Sequence, residues 1–178
     1  MENQTNWVID PTHSEITFKV KHLMITNIKG EFRTFSASIS TSTTDFTLAK
    51  AEATIDVSSI FTNNSDRDGH LKSADFFDVE NNPTITFKST SFTKSSGSNY
   101  TLLGVLTIKG VAKEVTFDTE FAGINKDPWG NEKAGFTLEG KINRKDWGLN
   151  WNAALETGGV LVGEEVKISA EMQFVKQA

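Results

Sequence analysis

Apolar and polar residues alternate with a period of two along most of this sequence. In "EITFKVKH", Ile16, Phe18, Val20 and His22 fall on one face, and Thr17, Lys19 and Lys21 fall on the other. Successive side chains of an extended chain point to opposite faces, so this spacing predicts a strand with one face buried. The pattern returns in Ala53, Ile55 and Val57, in Ile85 and Phe87, and in Val115, Phe117, Thr119 and Phe121. It returns again in Phe136, Leu138, Gly140 and Ile142, and in Val166, Ile168, Ala170, Met172 and Phe174. Turn-forming clusters separate the runs: Thr26-Asn27, Ser95 to Asn99, Lys109-Gly110, Asp127 to Asn131, and Gly158-Gly159. About eight strands rich in Phe, Thr and Val predict an all-β antiparallel meander. No long helical period, fixed repeat or low-complexity linker divides the chain, so residues 1–178 read as a single domain.

Only Arg67 to Asp75, "RDGHLKSAD", breaks the alternation. It predicts one short helix around residues 66–75, with Ser65 as N-cap and Asp66 and Asp68 in the first turn, where carboxylates suit the helix dipole. Leu71 and Ala74 would share a face, and Asn81, Asn82 and Pro83 would stop the helix. One helix between the third and fourth strands reads as a lid or corner, anchored by Phe76 and Phe77.

An open sheet of this size leaves two edges to defend, and closure into a barrel removes both. Strands near ten residues would be about 33 Å long at ~3.3 Å per residue. An eight-stranded barrel is either just filled by its side chains or holds one small ligand. The inward positions carry no charge, and small residues at Ala53, Gly104, Gly140 and Ala170 would leave room for a long, thin apolar molecule. The many phenylalanines could equally fill the lumen solid.

Charge and composition narrow the partners. A net charge of -5 and a pI of about 5.2 give no basic footprint for nucleic acid or for an anionic membrane surface, so the sequence disfavours both partners. No apolar run is long enough to span a bilayer, so stable membrane insertion is not expected. Without cysteine there is no disulfide, zinc-thiolate or iron–sulfur site. The first ten residues lack the basic and apolar regions of an export signal, which gives a cytoplasmic expectation; a periplasmic protein whose leader had been removed would read the same.

The candidate chemistry is thin. Asp10, His13 and Ser14 supply the residue types of a triad, but neighbours in an extended strand point apart, and no Gly-x-Ser-x-Gly elbow occurs. His13, His22 and His70 have no spacing that presets a metal clamp. Asp68 and Asp75, the candidates for a glycosidase-like pair, read better as charges at the helix ends. No enzyme, metal or cofactor is therefore expected.

The ordered series "WVIDPTHSEITFKVKH", "IKGEFRTFSASI", "RDGHLKSADFFDVENNPTITFKS", "LLGVLTIKGVAKEVTF", "INRKDWGLNW" and "VGEEVKISAEMQF" closely resembles the YceI-like, polyisoprenoid-binding family, from Trp7 to about Phe174. The resemblance implies an extended, eight-stranded, lipocalin-like antiparallel barrel with a hollow lumen. It implies a long-chain isoprenoid or related amphiphile as ligand: a prenyl quinone, a polyprenyl phosphate or a fatty amide. Carriage or sequestration, in transport or in buffering quinones under stress, would be the role. Many members carry an export signal, which the first residues here do not show.

The expected ligand-binding lining is Ile16, Phe18, Val20, His22, Ala53, Ile55, Val57, Phe87, Leu106, Ile108, Phe117, Phe121, Phe136, Leu138, Ile142, Ile168 and Met172. Headgroup donors would come from His22, Arg33, Arg67, His70, Arg144 and Trp147, which stand in positions that resemble the family's. Arg67 and Arg144 are first expected to pair with Asp75 or Asp146 and pin the helix and the long loop. The alternative is a non-carrier barrel with a structurally filled lumen that serves a protein partner. "LLGVLTI" is apolar on both faces, so Leu103 and Val105 need cover. A homodimer contact is favoured, and the loop from Asn143 to Glu165 folded over the outside is the alternative.

Overall fold

In the computed structural model, which describes residues 4–43, 45–156 and 159–178, the alternation condenses into one antiparallel sheet of eleven strands. Several of these are halves of one longer stave. β1 (Thr5–Ile9) and β2 (Glu15–His22) are separated only by the 3-10 turn Pro11–His13, which Asp10 caps. β3 (Thr26–Phe32) and β4 (Phe35–Thr41) are parted by two residues. β5 (Lys50–Asp56) passes through the 3-10 turn Val57–Ser59 into β6 (Ile60–Phe61). The rest are long and unbroken: β7 (Thr84–Ser96), β8 (Asn99–Ile108), β9 (Val111–Lys126), β10 (Glu132–Asn143) and β11 (Val162–Lys176). Eight staves thus follow one another in chain order, and pairing of β1 with β11, Val8 opposite Val175, closes the barrel.

One turn differs from the sequence reading. Thr26 and Asn27 pair as strand with His22 and Lys21. The β2–β3 turn is instead made by Leu23, Met24 and Ile25, with Leu23 and Met24 at φ of 55° and 59°. Gly159 takes a φ of 91°, and its partner Gly158 lies outside the described residues.

Beyond Phe61 the chain leaves the wall as α1 (Ser65–Lys72) and returns at Thr84. Asn64, one residue before the expected Ser65, is the N-cap: its Oδ1 accepts the Arg67 amide at 2.9 Å. The helix ends three residues before the expected limit because the Ser73 amide closes back on the His70 carbonyl at 3.1 Å and its hydroxyl bonds the same oxygen. Ala74 is therefore exposed and outside the helix, whereas Leu71 packs on the core. Among the described residues, no helix is long and apolar enough to cross a membrane.

Aromatic rings close the barrel near the chain termini. Phe136 meets Phe46 at 5.4 Å, Phe174 at 5.9 Å and Phe92 at 6.2 Å, each edge-on, a geometry worth about 0.5–1.5 kcal/mol per pair beyond burial. At the other end α1, Phe76, Phe77 and the loop after β10 stand across the lumen.

An apolar barrel cavity as the candidate binding site

Between these two ends lies a cavity of about 580 Å³, within the roughly 300–1,000 Å³ of ligand pockets. Its emptiness has a local cause. The rings of Phe18, Phe87 and Phe117 lie where side chains at Gly30, Gly104 and Gly140 would stand. Each ring is thereby folded against the wall and leaves the barrel axis open. Gly104 and Gly140 thus do not offer their space to a ligand, as the sequence reading had it; their own phenylalanines take that space, and neither glycine lines the cavity. Ala53 and Ala170 do line it.

All of the expected lining residues reach the cavity except Val57 and Phe121. The alternation of β5 ends at Asp56, where the chain turns, so Val57 goes into the solid core with 1% of its surface exposed. Phe121 stacks on Phe136 at 5.0 Å and packs edge-on against Phe46 at 5.1 Å, and these two face the cavity in its place. The sequence reading missed Phe32, Ile39, Phe46, Phe92 and Leu102, together with Leu71, Leu149, Trp151 and Leu161 from outside the strands. Leu102 was findable, being in phase with Leu106 and Ile108.

Apart from Glu52, an exposed residue partway along β5, the ionisable residues that border the cavity, His22, Asp66, Arg67, His70 and Arg144, gather at the α1 end. Arg144 is 3% exposed and is held by backbone carbonyls: Nε donates to Gly163 at 2.8 Å, Nη1 to Trp151 at 2.9 Å and to Leu149, and Nη2 to Val162 at 3.3 Å. Burial pushes its guanidinium below the usual range, and Glu164 partly opposes this. Arg67 donates to the Thr62 carbonyl at 2.6 Å and to the Thr62 hydroxyl at 2.8 Å. That hydroxyl donates in turn to the buried Asp68, which also accepts the Thr62 amide at 2.9 Å. Asp75 is taken by His70 Nε2 at 2.8 Å, and the His70 ring stands edge-on to Trp151 at 4.6 Å. The expected pairing of Arg67 and Arg144 with Asp75 or Asp146 is therefore replaced by carbonyl and hydroxyl partners, which satisfy a fork of donors without a second buried charge.

Of the other donors, His22 borders the cavity, but Arg33 and Trp147 do not. Arg33 lies outside, 3.5 Å over the Phe61 ring and 2.9 Å from Glu31. Trp147 is buried, with Nε1 donating to the Leu106 carbonyl at 3.0 Å. Of the triad residue types, Asp10 meets His13 at 2.9 Å, while the Ser14 hydroxyl accepts the Gln173 amide at 2.9 Å on another strand. Among the described residues no group of three His, Asp or Glu could hold a metal ion. In the loop after β10, Leu149, Trp151 and Leu161 turn to the cavity. Leu103 and Val105 lie half-buried on the outer face of β8 beside Ser91 and Thr116, and Lys88 and Glu114.

Comparison with known proteins agrees with this geometry. The sequence model described as YceI-like domain matches residues 7–174. A UPF0312 protein of Staphylococcus epidermidis is 47% identical over 171 residues, 96% of this chain and 97% of the relative. One of Staphylococcus aureus is 44% identical with the same coverage. Burkholderia cenocepacia BcnA superposes with a TM-score of 0.80 at 25% identity, covering 93% of this chain and 98% of BcnA. A mutant Campylobacter jejuni YceI protein with a monobromobimane guest gives 0.76 at 32%, covering 90% and 91%. A polyisoprenoid-binding domain from Saccharophagus degradans, implicated in plant cell wall breakdown, shares the fold with a TM-score of 0.71 at 15% identity, covering 96% and 98%. With the match spanning nearly its whole length, this chain belongs to the YceI-like family.

Proposed function

We propose that the protein binds one long-chain isoprenoid, or a related amphiphilic lipid, in the barrel and acts as its carrier or sequestering protein. The observation that carries the reading is a cavity walled by aliphatic and aromatic side chains whose ionisable neighbours, the outward Glu52 apart, gather at one end. That polarity matches a molecule with an apolar tail and one polar head. The tail lies along the strands, and the head meets His22, Arg67, His70 and Arg144 at the α1 end. The polyisoprenoid-binding domain of Saccharophagus degradans has the same fold, which supports this ligand class.

The energetics need no strong polar contact. Each buried methylene-sized group is worth about 0.8 kcal/mol, so a five-carbon prenyl unit contributes up to about 4 kcal/mol before ordering costs. Affinity then rises steeply with each added unit and levels off once the tail outgrows the cavity.

Trp151 borders the cavity and reports on it. Titration with prenyl quinones of increasing chain length, read as quenching of tryptophan fluorescence, should give saturable binding that strengthens with tail length and loses its signal in Trp151→Phe. Affinity that is independent of tail length would overturn the reading.

A further inference from the structure

Four lysines form a row across four adjacent strands. Lys141 on β10 is opposite Lys167 on β11, Lys167 is opposite Lys19 on β2, and Lys19 is opposite Lys29 on β3. All four are exposed on the outer wall, and Lys21 follows on the same face of β2. Like charges directly opposite one another destabilise a sheet, so this row is a cost to the fold. It is not relieved by ion pairing: among the described residues the lysines in ion pairs are Lys133, Lys145 and Lys176. Of the nearby acids, Glu31 is engaged by Arg33 and Glu164 by Lys145, while Glu139 and Glu165 flank the row on the same face, so five lysines face two uncommitted carboxylates.

The same wall ends in an apolar tip. In the β2–β3 turn, Leu23, Met24 and Ile25 are 38%, 53% and 79% exposed. Leu23 and Met24 also occupy positive φ, where bulky residues are strained. Backbone bonds hold the turn, from the Leu23 amide to the Leu161 carbonyl at 2.9 Å and from the Ile25 amide to the His22 carbonyl at 3.1 Å. The turn is apolar and strained at Leu23 and Met24, Met24 and Ile25 stand mostly in solvent, and none of the three packs on the core cluster.

We propose that this corner docks on an anionic phospholipid surface, with Leu23, Met24 and Ile25 entering the interface and the lysine row lying over the headgroups. Charge complementarity selects the occupant: an unpaired cationic row beside an apolar tip fits a negatively charged leaflet. The net charge of -5 conceals the row, because it is strand register that assembles it. His22 leads into the turn and borders the cavity, so docking sets the α1 end of the cavity beside the lipid.

The test is sedimentation of the full chain with vesicles of phosphatidylcholine alone or mixed with phosphatidylglycerol, all free of prenyl lipid. Binding should require phosphatidylglycerol and weaken with salt. The exposed pair Lys19→Ser and Lys29→Ser should lower partitioning about 25-fold, at about fivefold per lysine. The charge-matched pair Lys94→Ser and Lys126→Ser, both exposed elsewhere on the barrel, should leave it unchanged. Ile25→Ser should weaken binding at every salt concentration. No binding to phosphatidylglycerol vesicles, equal binding to both vesicle types, or equal losses for the two lysine pairs would overturn the proposal. Docking by a protein that takes up no prenyl quinone would uphold this inference while sinking the lumen reading.

Discussion

A Cβ placed on Gly140 would lie 2.6 Å from Cδ1 of Phe117, so the Phe117 ring covers Gly140 on the inner wall. Gly140→Ala should therefore push the ring toward the axis and cost about 1–3 kcal/mol, as overpacking does. Gly69 in α1 is the contrast, since nothing lies within 4 Å of a Cβ there. Gly69→Ala should stabilise by about 0.5–1 kcal/mol through helix propensity. Urea unfolding of the two variants should show shifts of opposite sign.

Ala53 tests the lumen without disturbing the wall. It borders the cavity, and its neighbours in register are Ala37 and Phe87. Ala53→Phe should place a ring in the open space and abolish uptake of prenyl quinone, at no more than the about 1–3 kcal/mol that overpacking costs. Undiminished uptake would show that the ligand binds elsewhere.

Arg144 joins β10, the loop behind it and β11 through four carbonyls. Arg144→Met removes the buried charge but leaves those acceptors unpaired, and should cost about 3–5 kcal/mol. Arg144→Lys should recover little, because a point ammonium cannot span the same fork. Chemical denaturation of both variants measures this.

Asp10 gives a pH signature. Hydrogen bonds from the Thr12 hydroxyl and then from His13 hold its carboxyl well below the usual carboxylate range; burial opposes this, and Lys133 adds to it. The folded carboxyl thus binds its proton at lower pH than the unfolded one does. Its stabilisation is full above the unfolded value of about 3.9 and fades as pH falls toward the folded value. Asp10→Asn should cost about 1 kcal/mol near neutrality, a capping loss, and the gap from the parent should narrow below about pH 4. A gap that is constant down to pH 2 would refute the carboxylate's part.

The barrel was legible because one-face burial leaves a period of two in Ile16, Phe18 and Val20 or in Val166, Ile168 and Ala170. The lining was less so wherever the chain breaks phase. A β-bulge between Ser89 and Ser91 moves the inward face of β7 from Ile85 and Phe87 to Phe92. Phe46 reaches the cavity from a 3-10 turn that has no alternation to read. Arg144 looked like half of an ion pair because sequence shows charges and not carbonyls. The lysine row was invisible for a similar reason, since Lys19, Lys29, Lys141 and Lys167 meet only through register.

The central claim is a hollow barrel that holds a lipid, and native mass spectrometry of the freshly purified protein, followed by organic extraction and lipid mass analysis, tests it most directly. The account predicts a one-to-one adduct that leaves the protein as a prenyl or other long-chain lipid and is absent from Ala53→Phe. A bare parent protein that also takes up no added prenyl quinone would contradict it.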